Sequence, residues 1–320
     1  MPGLVQGPLA ADLLVGGKSN LTYRVHDGGS TWVVRRPPLG ELLSTAHDMA
    51  REFRVMSALA ASDVPVPKMV TLCADATVLG TPFFVMEWVD GVCYRRREML
   101  EGTGPGRAAT ISANMVETLA TLHQVDAASV GLDDLGRPHG FAARQVDRWK
   151  RQFDAARSRD IAGADTLFER LRDRVPTQAR TALIHGDYRL DNLLIDTDDT
   201  LRAVIDWEMA TLGDPLTDVA TLVVYGRLAR TGSTAVPNQS VAEGYIEESE
   251  LLGRYESSTA TSLGDIDFYL GLANFKLAAI LESIHMRFLR GETVGEGFDS
   301  AGSAVDWLIG KGLEALSIKD

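Results

Sequence analysis

Residues 183–208 read LIHGDYRLDNLLIDTDDTLRAVIDWE, and three oxygen-bearing side chains there stand at spacings that suit one reaction. His185, Gly186 and Asp187 are followed by Asn192, five residues after the Asp, and Asp206 closes the next β-rich run. This H-x-D-x-x-x-x-N pattern with a later Asp offers one carboxylate to a hydroxyl and two oxygen donors to a hard cation. Phosphoryl transfer needs those three roles, because its catalysis consists of positioning, a proton acceptor and metal charge on the phosphate oxygens. Asp187 is the candidate proton acceptor. Asn192 and Asp206 are candidate ligands of Mg²⁺, which keeps several waters and takes few protein ligands beside substrate phosphates. Taken one at a time, His-Gly-Asp is a turn and Asp206 a strand-end carboxylate beside Trp207. The four residues as a spaced set outweigh that reading.

These residues need short strands and helices to hold them. LLI and AVI within the island read as two strands around the polar turn Asp196 to Thr200. Upstream, TYRVHDGGSTWVVRRP predicts a hairpin, with strands at Thr22–Val25 and Thr31–Arg35. Met49, Phe53, Met56 and Leu59 recur at helical spacing, which predicts a helix over residues 45–61, closed by Val64-Pro65-Val66-Pro67. Two further strands follow, the second in PFFVMEWVDG. Helical patterns then dominate, over residues 107–124, 141–159, 164–174, 214–230, 241–252, 265–290 and 298–316. The expected class is α+β with two lobes, a small antiparallel-sheet lobe over residues 1–90 and a larger, mainly helical lobe over residues 91–320. Two lobes imply a cleft, where ligands prefer to bind.

Composition removes several classes. With 320 residues and 45% hydrophobic content the chain can bury a large core. Its 32 basic and 44 acidic residues leave a formal charge of -12, with the first 100 residues balanced and the whole excess after them. Such a surface does not suit a nucleic-acid backbone. No apolar run approaches the ~20 residues that cross a bilayer, and no charged n-region precedes the first apolar residues. Cys73 and Cys93, the only cysteines, suit free thiols, so a soluble cytoplasmic protein is expected.

HGDYRLDNLLID and IDWEMATLGDPLTD resemble the catalytic core of the aminoglycoside phosphotransferase family, distant relatives of protein kinases. They are most similar to the branch associated with acyl-CoA dehydrogenases, and the resemblance runs over nearly all the chain. It implies a bilobal protein-kinase-like fold and an ATP-dependent kinase of a small-molecule hydroxyl. Asp187 matches the catalytic base, Asn192 and Asp206 the metal ligands, and His185 a scaffold residue of the catalytic loop. Asp214 and Asp218 in GDPLTDVA are family scaffold residues or the carboxylates of a helix start, two compatible readings.

The first lobe is expected to supply the nucleotide site. GGKSNLTYRV, with Gly16, Gly17, Ser19 and Asn20, resembles the family's nucleotide loop, although two adjacent glycines by themselves signal only a turn. WVVRRP stands where a kinase has V-A-I-K, so Arg35 takes the lysine's place beside the phosphates with a different geometry. Glu52 is then either the ion-pair partner that fixes Arg35 or a surface charge on an amphipathic helix. Met86, Glu87, Trp88 and Val89 match the kinase hinge, where the carbonyl of Glu87 and the N–H of Val89 would read adenine; otherwise this is a core strand with a terminal Trp.

The acceptor is less legible. Trp149, Tyr188, Arg189, Trp207, Tyr225 and Asn274 are pocket candidates or, more commonly for such residues, core. Arg189 would bind an acceptor carboxylate or phosphate, or else pair with the acidic loop around Asp198. The resemblance points to a hydroxyacyl thioester or related hydroxy compound, and the acidic second lobe to a cationic, aminoglycoside-type acceptor. A protein kinase fits poorly, because only seven residues separate Asp206 from Asp214 and no A-P-E follows. A metal-dependent phosphohydrolase would want further ligands, and a non-catalytic nucleotide-binding protein would not need Asp187, Asn192 and Asp206 together.

Overall fold

The computed structural model describes residues 3–14, 20–38, 48–177, 180–292 and 300–317. Strands β1 (Ala10–Leu13), β2 (Leu21–His26) and β3 (Thr31–Arg36) are joined antiparallel. The turn between β2 and β3 forms because Asp27 Oδ1 accepts from the N–H groups of Gly29 (3.0 Å) and Ser30 (2.7 Å), with Gly28 at φ +88°. Helix α1 (Met49–Leu59) follows, then β4 (Met69–Cys73), the short α2 (Ala76–Leu79) and β5 (Phe83–Glu87). The sheet order is β1-β2-β3-β5-β4, antiparallel throughout. Val33 pairs with Met86 and Arg35 with Phe84, so Val33 and Arg35 share a face of β3, and both are buried.

Helix α1 is shorter than its apolar pattern predicts, because Asp48 caps it by accepting from Arg51 N–H at 3.0 Å. Residues 45–47 lie outside the described residues. Its buried face is Met49, Glu52, Val55, Met56 and Leu59, so a carboxylate sits within the apolar stripe.

After β5 the chain is mainly helical: α3 (Arg97–Glu101), α4 (Pro105–Gln124), α5 (Phe141–Ala156) and α6 (Ala164–Asp173). Short strands β6 (Ala182–Ile184), β7 (Leu193–Ile195), β8 (Leu201–Val204) and β9 (Thr211–Gly213) come next, then α7 (Leu216–Ala229), α8 (Glu248–Thr259), α9 (Ile266–Leu289) and α10 (Ala301–Ser317). The second island strand is LRAV rather than AVI, since a register shift between Leu194 and Ile195 moves its pairing. The pair β6–β9, which brackets the island, and the edge strand β1 went unpredicted. At three residues each, β6 and β9 are too short to show periodicity.

The helix expected over residues 241–252 forms instead at Glu248–Thr259. Gly244 has φ +85°, and a Cβ there would lie 2.2 Å from the Pro105 carbonyl oxygen, so the chain must turn before the helix starts. Helix α9 is buried almost all round from Phe268 to Ala279 and packs on α5, α7 and α10. The apolar core is continuous, from Val33, Met56 and Phe84 under the sheet to Leu193, Trp207 and Phe275 among the helices. No helix among the described residues is long and apolar enough to cross a membrane.

Candidate active site

The segment leaving β6 holds the candidate catalytic residues, and several of its backbone polar groups have fixed partners. Asp218, in the first turn of α7 and fully buried, accepts from the N–H groups of His185 (2.7 Å) and Gly186 (2.8 Å). Burial works against this carboxylate, but His123 and His185, with the backbone amide of His185, hold it below its ordinary value. The Gly186 carbonyl accepts from Lys276 Nζ of α9 at 2.6 Å. Gly186 has φ +84°, and a Cβ there would meet the Met209 carbonyl oxygen at 2.7 Å, so only glycine fits. The Asp187 N–H donates to His185 Nδ1 at 3.2 Å, which leaves Nε2 as the donor to the Ile205 carbonyl at 3.0 Å. His185 is therefore a brace for the loop, packed against Tyr188 and Trp207.

Asn192 closes the loop. Its Nδ2 donates to the Asp187 carbonyl at 2.9 Å and lies 3.5 Å from Asp187 Oδ2. The Ile205 N–H donates to the Asn192 carbonyl at 3.0 Å, which sets Asp206 beside Asn192. Asp206 has φ +71°, a left-handed conformation that turns the chain from β8 into the single 3₁₀ turn Trp207–Met209. The structure thus brings Asp187, Asn192 and Asp206 together.

Arg35 reaches the same place from β3. Its Nε lies 3.1 Å from Glu52 Oε2, its Nη2 bonds Asp206 Oδ1, and Glu208 stands 4.0 Å away. Of the two readings of Glu52, the ion pair is the one observed, and Glu52 is 1% exposed. Burial pushes its carboxyl up to about 7, against the pull of Arg35. Burial also opposes the Arg35 charge, but Glu52, Asp206 and Glu208 more than restore it.

Glu208 escaped the sequence reading, although it stands two residues after Asp206. Its Oε2 accepts from Asn20 Nδ2 at 3.1 Å, so buried Asn20 ties the start of β2 to the site. Gly17 and Ser19 lie outside the described residues. Glu87 and Val89 sit at the end of β5. There Glu87 N–H donates to the Lys68 carbonyl (2.9 Å), its Oε1 accepts from Lys68 N–H (2.9 Å), and Trp88 lies under the Arg24 guanidinium.

Of the two readings of Arg189, the pairing with the acidic loop around Asp198 is not the one observed. Its Nε lies 3.3 Å from Asp187 and its Nη2 3.1 Å from Asp191, with Tyr225 beneath. The loop around Asp198 is taken instead by Arg107, through Asp199. Tyr188 and Trp207 are core, and Asn274 donates to the Leu270 carbonyl. Trp149 does line a cavity, together with Lys276, Arg148 and Thr217. Lys276 was missed, yet a lone lysine inside the apolar run FYLGLANFKLAAIL was a readable signal.

A divalent cation fits this donor set. Three carboxylates share one guanidinium, so the cluster is short of positive charge, and Asp206 with Asn192 offers hard oxygen donors from adjacent backbones. No group of three or more His, Cys, Asp or Glu side chains that could cage a metal occurs among the described residues.

The model of the Phosphotransferase enzyme family, APH, matches residues 12–255. The chain belongs to this family. A crystal structure from Ralstonia eutropha JMP134, assigned as an aminoglycoside phosphotransferase, is 32% identical, with TM-score 0.85 over 98% of this chain and 94% of that one. Acyl-CoA dehydrogenase family member 11 of Gallus gallus is 36% identical over 98% of this chain, and that of Homo sapiens 37% over 88%. The chain spans only about two fifths of the length of these relatives, 42% and 36%. The ternary complex of aminoglycoside phosphotransferase APH(4)-Ia with AMP-PNP and hygromycin B is 15% identical at TM-score 0.64 over 96% of this chain and 93% of that one, a likeness of fold. Membership of the phosphotransferase family, expected from HGDYRLDNLLID and IDWEMATLGDPLTD, and the bilobal, protein-kinase-like α+β fold stand together.

The site carries a pH prediction. The folded-state value of Glu52 is raised, so the protonated acid favours the fold at pH below the ordinary 4.5, and this contribution is lost as pH rises through about 7. Glu52→Gln removes the titration. Urea unfolding from pH 5 to 8 is expected to show wild-type stability falling relative to Glu52→Gln across that window. Parallel profiles would contradict the assignment.

Proposed function

We propose that the chain is an ATP- and Mg²⁺-dependent kinase of a small-molecule hydroxyl, with a hydroxyacyl thioester or related hydroxy compound as acceptor. The observation that carries this is the loop from His185 to Asn192, whose backbone is pinned by Asp218, Lys276 and His185 so that Asp187 stands beside Asn192 and Asp206. The nucleotide would lie between the sheet region, up to about residue 90, and the helical region.

Arg35 would exchange its bond to Asp206 for phosphate oxygens, anchored by Glu52. Asn20, with Gly17 and Ser19, would cover the phosphates, and the backbone of Glu87 and Val89 would read adenine. Asp187 accepts the hydroxyl proton as that oxygen bonds the γ-phosphorus. The bond to the β–γ bridging oxygen then breaks, releasing ADP and a phosphomonoester. Mg²⁺, held by Asn192 and Asp206, would neutralise charge on the phosphate oxygens.

The test follows γ-labelled ATP into product with a metabolite pool, adding hydroxyacyl thioesters and aminoglycosides as defined acceptors. A labelled phosphomonoester of a hydroxy compound is the expected product. Release of phosphate alone, without any acceptor, would instead indicate a phosphohydrolase.

A further inference from the structure

Behind the catalytic loop lies a cavity that the phosphate-transferring residues do not use. It is walled by Phe141, Gln145, Arg148 and Trp149 of α5, Thr217 and Thr221 of α7, and Lys276 of α9, with Gly186 at its edge. Its free volume, about 40 Å³, holds roughly three water-sized groups, the size of a carboxylate. Lys276 is 6% exposed, and its ammonium has three donors but one hydrogen bond, to the Gly186 carbonyl. Among the described residues no carboxylate pairs with it at ion-pair distance.

A buried cation in that position has the Trp149 ring 5.7 Å from its ammonium but no carboxylate at contact distance among the described residues, and burial without a close counter-ion costs free energy. Burial accordingly lowers its ionisation, with Arg148 and Arg189 adding to the effect and Asp187 and Asp218 opposing it. Arg148, more exposed, is a second cation at the wall, with no acidic partner among the described residues and its guanidinium over Trp149. The Thr217 hydroxyl is buried without a hydrogen-bond partner on the same wall. Two cations and an idle hydroxyl around a space of this size match one ligand chemistry, a compact anion.

We propose that this cavity is an anion subsite, in which Lys276, with Arg148 and Thr217, holds a compact carboxylate. Asp187, Asn192 and Asp206 are not among the residues that wall it, so the proposal goes beyond the phosphotransferase reading and stands apart from it. A bulky cation does not fit the cavity and would be repelled by it.

Binding of butanoate, butanamide and butylammonium to the full chain, measured by ligand-observed NMR without nucleotide, tests this apart from turnover. Butanoate is expected to bind wild type at least tenfold more tightly than either of the others. Lys276→Met should lose that preference, and the exposed Arg148→Gln, which keeps the fold, should weaken butanoate several-fold. Asp187→Asn should still bind it. Should Lys276→Met fail to melt cooperatively, Arg148→Gln decides. Equal binding of the amide and the carboxylate, or unchanged butanoate affinity in the folded variants, overturns the subsite. Butanoate selectivity without phosphorylation of any acceptor would retain the subsite and remove the kinase reading. Phosphorylation of aminoglycosides without butanoate binding would do the reverse.

Discussion

Asp187→Ala is expected to lower the rate of phosphoryl transfer by about 100- to 10,000-fold, the span that a positioned general base contributes. The affinity for MgATP should stay within a few-fold of wild type. The division follows from the contacts. Asp187 holds its place through its backbone, by way of His185 Nδ1 and Asn192 Nδ2, so removing its side chain leaves the loop gripped. The phosphates, in contrast, are assigned to Arg35 and to the metal. A lowered kcat with an unchanged nucleotide dissociation constant marks an interaction used in the transition state. Equal activity in the variant would contradict the role. A parallel loss of MgATP binding would show instead that Asp187 holds nucleotide. Loss of Arg189's partner is a second consequence, since its Nε faces Asp187 at 3.3 Å; Asp191 remains to hold that guanidinium.

Asp206→Ala should act on binding. It removes the single carboxylate proposed to touch the cation directly, so metal-dependent nucleotide affinity should fall by at least the roughly 10–100-fold that even outer-shell partners of a metal are worth. The variant also frees Arg35 from a bond that competes with phosphate. Affinity for ATP measured without metal should therefore hold or rise. Titrating ATP with and without Mg²⁺ into wild type and variant separates the two effects. A uniform loss in both conditions would indicate that Asp206 supports the fold at this turn rather than a cation.

The parts of the site that could be read from the chain are those written within one short stretch. Asp187, Asn192 and Asp206 fall within 20 residues, and their roles depend on turns that the same stretch specifies. Arg35 and Glu52 needed the resemblance, because periodicity reads Phe53 rather than Glu52 into the stripe Met49, Phe53, Met56, Leu59 and the charge of Glu52 argues for the surface, whereas the structure buries it. The buried guanidinium on the neighbouring strand resolves that conflict. Contacts between distant segments were only partly legible: GDPLTDVA offered Asp218 as an acceptor for the catalytic loop, and Lys276 showed only as a lone lysine in an apolar run. Asp218 meets His185 across 33 positions, and Lys276 meets Gly186 across 90. The helix expected over residues 241–252 failed for a similar reason, since the Pro105 carbonyl that forces Gly244 into its turn lies far back in the chain. For Arg189 the alternative pairing with the acidic loop failed the other way: its partners are Asp187 and Asp191, nearer in sequence than that loop.

The central claim is that a triphosphate and its cation meet the side chains of Asp187, Asn192, Asp206 and Arg35 together. A crystal structure of the full chain with AMP-PNP and Mg²⁺ tests it most directly. The account predicts a metal at about 2.0–2.1 Å from one oxygen each of Asn192 and Asp206, Arg35 turned from Asp206 onto phosphate, and the γ-phosphate facing the Asp187 carboxylate. A metal bound elsewhere, or a γ-phosphate pointing away from Asp187 with Arg35 still on Asp206, would contradict it.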